Sequence, residues 1–292
     1  MPNFPIIDSH VHLWDPAHFR IEWLDSSPRL NSRFGLEEYR EHTAGIEVEA
    51  MVYLEVDLAR EYKLLEASWV MERAQEDPRI QGIVAPAPLE FGEQARAYLE
   101  ALVASDRSGT GKRLIKGVRR LIQSEPDPAF CLQPRFVRGV QLLAEFDLSF
   151  DVCVYYTQLG NAVELVRRCP NTMCILDHIG KPNIRGRELD PWRQQIKDLA
   201  ALPNVICKVS GAATEADPQR WTTDDVRPYI EHVLEWFGED RVAYGGDWPV
   251  VLNASSYERW VRTLETVTAS LSPQAQRKLW AENARRFYRL AS

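Results

Sequence analysis

The chain has 292 residues, 45% of them hydrophobic and 26% charged, which is enough to bury a sizeable core. Its net charge is −7, and lysine and arginine are dispersed rather than clustered, which argues against nucleic acid or an anionic membrane as the main partner. No apolar run approaches membrane-spanning length and the N-terminus lacks a leader-like segment, so a soluble, cytoplasmic protein is expected.

Eight short apolar runs follow one another, at residues 4–12, 50–57, 80–89, 114–121, 149–155, 172–178, 204–210 and 241–247. Each is separated from the next by enough chain for a helix, and most separators show helical periodicity. Tyr62, Leu65 and Trp69 share one face, as do Phe136, Val140 and Leu143. Leu159, Val163 and Val166 follow, then Val226, Ile230, Val233, Leu234 and Phe237. After the eighth run, Ser255 with Glu258 reads as a capping box, and Ser272-Pro273 as a second helix start. Tyr257, Trp260, Val261 and Leu264 line one face of the first of these closing helices.

Eight strands alternating with helices over one uninterrupted length predict an α/β fold, a (β/α)8 TIM barrel in a single domain over residues 1–292. A doubly wound open sheet would call for a glycine-rich turn after the first strand, where the chain has His12, Leu13, Trp14 and Asp15. The first βα loop, residues 12–34, is long and carries Trp14, Trp23, Asp25, Pro28 and Arg29, as expected of a segment that covers a site. The five cysteines, Cys131, Cys153, Cys169, Cys174 and Cys207, have no metal-type spacing and read as reduced core thiols.

In such a barrel the chemistry belongs at the C-terminal ends of the strands. Those ends carry His10 and His12, two apart and so on one face, then Glu55 with Asp57, Arg119 with Arg120, and Tyr155 with Tyr156. Asp177 and His178 follow, then Lys208 and Ser210, and finally Asp247 before Trp248-Pro249. The opposite ends carry nothing comparable, and that asymmetry points to an enzyme. Asp247 closes a short buried strand, where an unpaired carboxylate is costly and needs a metal, a cation or a chemical role. The glycines before it, Gly245 and Gly246, allow other groups to approach. Plainer readings stand beside these. Arg119 could be a barrel salt-bridge partner of Glu55, Lys208 and Ser210 could be polar filling, and Asp8 a buried hydrogen-bonding group below the site. His18, His42 and His232 read as surface residues.

Six stretches together resemble the amidohydrolase superfamily: Asp8-Ser-His-Val-His-Leu-Trp-Asp15, Lys116-Gly-Val-Arg119, Asp177-His-Ile-Gly-Lys-Pro182, Lys208-Val-Ser-Gly211, Gly246-Asp-Trp-Pro249 and Glu282-Asn-Ala-Arg-Arg-Phe-Tyr288. They span the chain and are similar to the branch that holds sugar lactonases such as fuconolactonase and the 2-pyrone-4,6-dicarboxylate lactonase. The resemblance implies a (β/α)8 barrel and lactone hydrolysis with no required metal. Binuclear superfamily members bridge two metals through a carboxylated lysine at the end of strand four and use histidines on strands five and six. Arg119 stands at the strand-four end here, tyrosines stand on strand five, and a guanidinium cannot bridge two metals. His10, His12, His178 and Asp247 still offer ligands for a single divalent ion such as zinc.

Asp247 is the expected general base for water attack and later the proton donor to the ring oxygen. His10, His12 and His178 are expected to orient the water and polarise the carbonyl, with Arg119 adding positive charge at the oxyanion. For substrate binding, Trp23, Tyr155 and Trp248, with Trp14 and Tyr156, suit the apolar faces of a sugar ring; Glu55, Lys208 and Ser210 suit its hydroxyls. The expected partner is a small sugar lactone of the L-fuconolactone kind, with no nucleic acid and no membrane; assembly into a homo-oligomer is left open. A 2-pyrone-4,6-dicarboxylate-type lactone and metal-dependent decarboxylation on the same barrel are the alternative reactions.

Overall fold

Eight parallel strands form one sheet whose spatial order is the sequence order, β1-β2-β3-β4-β5-β6-β7-β8, in a computed structural model that describes residues 2–106 and 113–291. The strands are β1 (Ile6–Val11), β2 (Val48–Leu54), β3 (Ile80–Pro86), β4 (Ile115–Arg119), β5 (Ser149–Val152), β6 (Cys174–Leu176), β7 (Val205–Val209) and β8 (Val242–Tyr244). Each lies inside one of the eight apolar runs, apart from β2, which begins two residues earlier. The sheet closes on itself just beyond β8: Val11 pairs with Trp248 in parallel, His12 N donates to Trp248 O at 2.7 Å, and Asp247 N donates to His10 O at 2.8 Å. An open doubly wound sheet is thereby excluded, and the fold is a (β/α)8 barrel.

Helices α1 (Leu36–His42) and α2 (Lys63–Glu76) follow β1 and β2; α3 (Arg96–Ser105), α4 (Pro134–Leu142), α5 (Leu159–Arg168) and α6 (Trp192–Ala200) follow β3 to β6. Helices α7 (Ala212–Glu215) and α8 (Thr223–Phe237) follow β7, and α9 (Tyr257–Val267) follows β8. Their apolar faces pack on the outside of the strands as the periodicity predicts, with one exception. On α2 the buried residues are Glu66, Ala67, Val70 and Met71, whereas Leu65 is exposed and Trp69 packs sideways on Phe19. A buried glutamate displaced the apolar stripe that the sequence suggested. The cap of α9 also moves by one residue: Ser256, not Ser255, accepts from Arg259 N. Ser272 caps the next helix as expected, accepting from Ala275 N at 3.1 Å.

The end of the chain plugs the barrel from below. Ala281, Ala284, Phe287, Tyr288 and Leu290 pack with Ile7, Ala50, Val52, Ile175, Ile206 and Ala243, residues on the interior faces of the strands. The bottom of the barrel is therefore dry and apolar, and its open end is the C-terminal one. All five cysteines are buried and free. No helix among the described residues is long and apolar enough to cross a membrane.

Candidate active site

Along each strand the interior positions turn from apolar to polar as the chain climbs. Ile175 gives way to Asp177 on β6, Ile206 to Lys208 and Ser210 on β7, and Asp151 to Cys153 and Tyr155 on β5. β1 departs from this alternation. Ile7 packs in the barrel interior, and His10, three residues on, meets Lys208 there. A regular strand cannot turn both inward; the register irregularity between Asp8 and Val11 supplies the odd residue. Without it the two histidines of the strand would face away from the site.

The floor of the open end is a closed set of ion pairs. Lys208 Nζ lies 2.5 Å from Asp151 Oδ2 and 2.9 Å from Asp177 Oδ1. Arg119 Nε meets Glu55 Oε1 at 2.7 Å, and its Nη1 meets Asp177 Oδ2 at 3.3 Å. Tyr288, from the C-terminal plug, donates to Asp151 Oδ2 at 2.7 Å. Burial pushes the Asp151 carboxyl up to about 6, against the pull of Lys208. Asp8 sits beside this set, accepting from His10 N and Gly246 N through Oδ1 and from Tyr257 and Tyr39 through Oδ2. Its burial raises it to about 6, with the Gly246 and His10 N–H groups pulling it down. Any side chain on Gly246 would collide with the Asp8 carboxylate and the Tyr257 ring, so this approach requires glycine.

Above the ion pairs the histidines form a chain. The Lys208 ammonium can only donate, so His10 Nδ1, 3.3 Å away, accepts from it. His10 Nε2 lies 3.1 Å from His12 Nε2 and 3.4 Å from Arg119 Nη1, which can only donate, and His12 Nδ1 donates to Leu54 O at 2.9 Å. Burial, reinforced by Lys208, holds His10 well below the usual imidazole range, so it is neutral. His178 is likewise lowered by burial, although Asp247 pulls the other way; its Nδ1 lies 3.0 Å from Ser210 Oγ.

Asp247 stands at the convergence of these groups. Its carboxylate lies 3.6 Å from His12 Nε2, 3.7 Å from His10 Nε2 and 3.8 Å from His178 Nδ1. Burial alone would raise it, but His178, His12 and Lys181 outweigh that and hold it below the usual carboxylate range. It is therefore an ionised acceptor at neutral pH, with no short hydrogen bond occupying it. Asp247 has φ 53°, and Asp57, His178, Ile179 and Lys181 also adopt left-handed backbone at strand ends. Non-glycine residues persist there only where the surroundings over-determine them, and such positions gather at functional sites.

A cavity of about 320 Å³ opens over Asp247, the size of a small-ligand pocket. Its wall includes His12, His178 and Arg119, together with Trp23, Tyr155, Cys153, Gln123, Lys181, Asp57 and Glu215. Trp23 is held by its indole N–H donating to Val56 O at 2.8 Å, so the long first loop does contribute to the mouth. Lys181 Nζ donates to Gln123 Oε1 at 2.5 Å and lies 5.1 Å over the Tyr155 ring.

Of the residues expected to act, Asp247, His12 and His178 reach the cavity, and His10 lies fully buried directly behind His12. Of those expected to bind substrate, Arg119, Tyr155 and Trp23 are on the wall. Glu55, Lys208 and Ser210 are not: they lie beneath it, engaged with Arg119, with Asp151 and Asp177, and with His178. Trp248 points away altogether, packed on Phe34 and Tyr39 and donating to His42 Nδ1 at 2.7 Å. Trp14 is also off the wall, its indole N–H donating to Ser32 O at 3.0 Å. His42 is exposed as expected, yet its ring anchors the residue after Asp247. Gln123, Cys153 and Glu215 were not singled out as site residues. Gln123 comes from a loop and Glu215 from the short helix α7, where strand parity says nothing; Cys153 shares parity with Asp151 and Tyr155 and could have been found from it.

A sequence profile of the amidohydrolase family matches residues 7–290. The L-fucono-1,5-lactonase of Burkholderia multivorans is 31% identical over 296 residues, covering 97% of this chain and 96% of that protein. The L-rhamnono-gamma-lactonase of Scheffersomyces stipitis is 26% identical, covering 99% of this chain and all of the relative. Among solved structures, an amidohydrolase from Burkholderia multivorans with bound zinc superposes with a TM-score of 0.86 at 28% identity, covering 99% of this chain and all of that one.

Proposed function

The chain belongs to the amidohydrolase family, and from that premise we propose that it is a lactonase that opens a sugar lactone to the aldonic acid, with Asp247 activating the water. The reading rests on one observation: an ionised carboxylate, free of short hydrogen bonds, at the bottom of a small-ligand cavity and ringed by three imidazoles. The lactonase names of two relatives that match nearly the whole chain support the substrate class.

Water attacks the acyl carbon while Asp247 takes its proton, and the carbonyl oxygen becomes an oxyanion. Lys181 and Arg119 on the wall supply positive charge for it. Collapse breaks the bond from the acyl carbon to the ring oxygen, and Asp247 returns the proton to that oxygen. His178, neutral and tied to Ser210, orients the water; His10 and His12 hold the floor in register with Asp247.

The donor set also fits a single divalent ion. His10, His12 and Asp247 place ligand atoms within 4.8 Å of one another, as do His10, Asp177 and His178. Imidazole with carboxylate suits zinc, which when bound would polarise a carbonyl and acidify water. To offer its Nε2 lone pair, His10 must carry its proton on Nδ1 instead. Asp177 Oδ1, which also meets Lys208 Nζ at 2.9 Å, lies 3.4 Å from that nitrogen as the acceptor. The reading includes turnover that survives chelation, as the resemblance to metal-independent lactonases implies.

A pH-indicator assay over a panel of aldonolactones and pyrone carboxylates, with and without chelator, tests the whole reading. Acid release from at least one aldonolactone in the presence of chelator is the expected result. Activity confined to pyrone carboxylates, or abolished by chelation and restored by zinc, rejects the substrate or the metal-free half respectively.

A further inference from the structure

Two carboxylates face the cavity with no described cation in ion-pair distance, although the field of Lys181 reaches Glu215 and those of Lys63 and Arg119 reach Asp57. Asp57 follows β2 and Glu215 ends α7 beyond β7, three strand positions apart around the rim, and both line the wall. Among the described residues, no basic nitrogen lies within 4.0 Å of either carboxylate, and neither accepts a hydrogen bond. Arg119 is already paired with Glu55 and Asp177, and Lys181 is bound to Gln123. With Asp247, the cavity thus presents three carboxylates to Lys181 and to an arginine whose charge is largely answered from below.

That balance bears on what the pocket can hold, and the inference rests on the lactonase reading. Hydrolysis turns a neutral ring into an acid that ionises: water adds across the acyl–oxygen bond, the ring oxygen keeps one proton, and the new carboxyl group releases the other to solvent. The bound species gains one negative charge. Sugar hydroxyls donate hydrogen bonds to carboxylates, whereas a carboxylate ligand is repelled by them. We propose that Asp57 and Glu215 select uncharged polyhydroxy lactones over lactones bearing a further carboxylate, and that they expel the aldonate product by like-charge repulsion. The same two groups bind the substrate and reject what it becomes.

The test uses full-length protein and the variants Glu215→Gln and Asp57→Asn. Turnover of an aldonolactone is compared with that of the same ring carrying a carboxylate, and calorimetry compares an aldonate with its neutral alditol. The wild type should prefer the neutral lactone and the neutral alditol by at least about tenfold, and each variant should shrink both preferences by about tenfold, the effect of one like charge in a half-open pocket. Preferences unchanged in both variants overturn the proposal. So does a wild type that binds the aldonate as tightly as the alditol, or fails to bind the alditol, whatever the variants do. Because the calorimetric ratio needs no turnover, a protein that opens neither lactone refutes the hydrolase reading alone, and the ratio still decides the role of the two carboxylates.

Discussion

The floor and the wall of this cavity use charge in opposite ways. On the floor, Lys208 and Arg119 answer Asp151, Asp177 and Glu55 within ion-pair distance, and every member is buried. On the wall, Asp57 and Glu215 face the cavity with no described cation in ion-pair distance. Desolvated charges with partners fix geometry, because breaking one pair leaves its partner stranded. Partly solvated charges without partners contribute little to the fold and keep their field for a ligand. The floor positions and the wall selects. Asp247 lies between them, buried like the floor but free of short partners like the wall.

This contrast is best broken at Asp247 itself. Asp247→Asn keeps the shape and removes the base, so kcat should fall by about 10³-fold with the melting temperature little changed. Turnover within a factor of about ten of the wild type would remove Asp247 as the base. A floor residue should behave the other way. Lys208→Met strands Asp151 and Asp177, and urea unfolding at pH 7.5 should show a loss of about 3–5 kcal/mol. The loss should shrink as pH falls from 7.5 towards 5, because without Lys208 less opposes the upward push of burial on Asp151, and the proton it takes up relieves the stranded charge. A variant as stable as the wild type at both pH values would mean that the floor is not a positioning network.

Most of the floor and, on the wall, His12, His178, Arg119, Trp23 and Tyr155 were legible in the sequence, while Asp151, Gln123 and Glu215 were not, for a physical reason. Strand residues obey period two, so His10, Arg119, Asp177, Lys208 and Asp247 announce themselves as polar residues at the ends of apolar runs. What the pattern cannot give is depth. Lys208 and Ser210 share a face with the cavity yet lie one layer below it, where neighbouring strands supply their partners. Trp248 was misplaced because the chain turns left-handed at Asp247, which sends the next side chain outward onto Phe34 and Tyr39. Gln123 and Glu215 come from segments with no periodicity to read. The α2 stripe failed because Glu66, a charged residue between its apolar positions, is held inside by Tyr53 and Val56.

Glu66 links the two regions. Its Oε1 accepts from Tyr53 OH at 2.7 Å and from Val56 N at 2.8 Å, while Oε2 is buried without a partner. Val56 in turn holds Trp23 on the wall. Burial, followed by the charge of Glu55, pushes the Glu66 carboxyl from 4.5 up to about 8. The folded chain therefore keeps a proton that the unfolded chain gives up. The stabilisation is fully present below about 4.5, declines as pH rises through about 8, and stays lost above it. Glu66→Gln mimics the protonated acid and keeps Oε1 for both donors. Unfolding free energies from pH 5 to pH 9 should thus fall more steeply in the wild type than in the variant, by up to about 4 kcal/mol over the window. Asp8 and Asp151, both raised to about 6, slope the same way in both proteins and cancel in the comparison. Parallel slopes would place Glu66 with the answered charges of the floor; a flatter variant makes it a carboxyl that holds the wall only while it stays protonated.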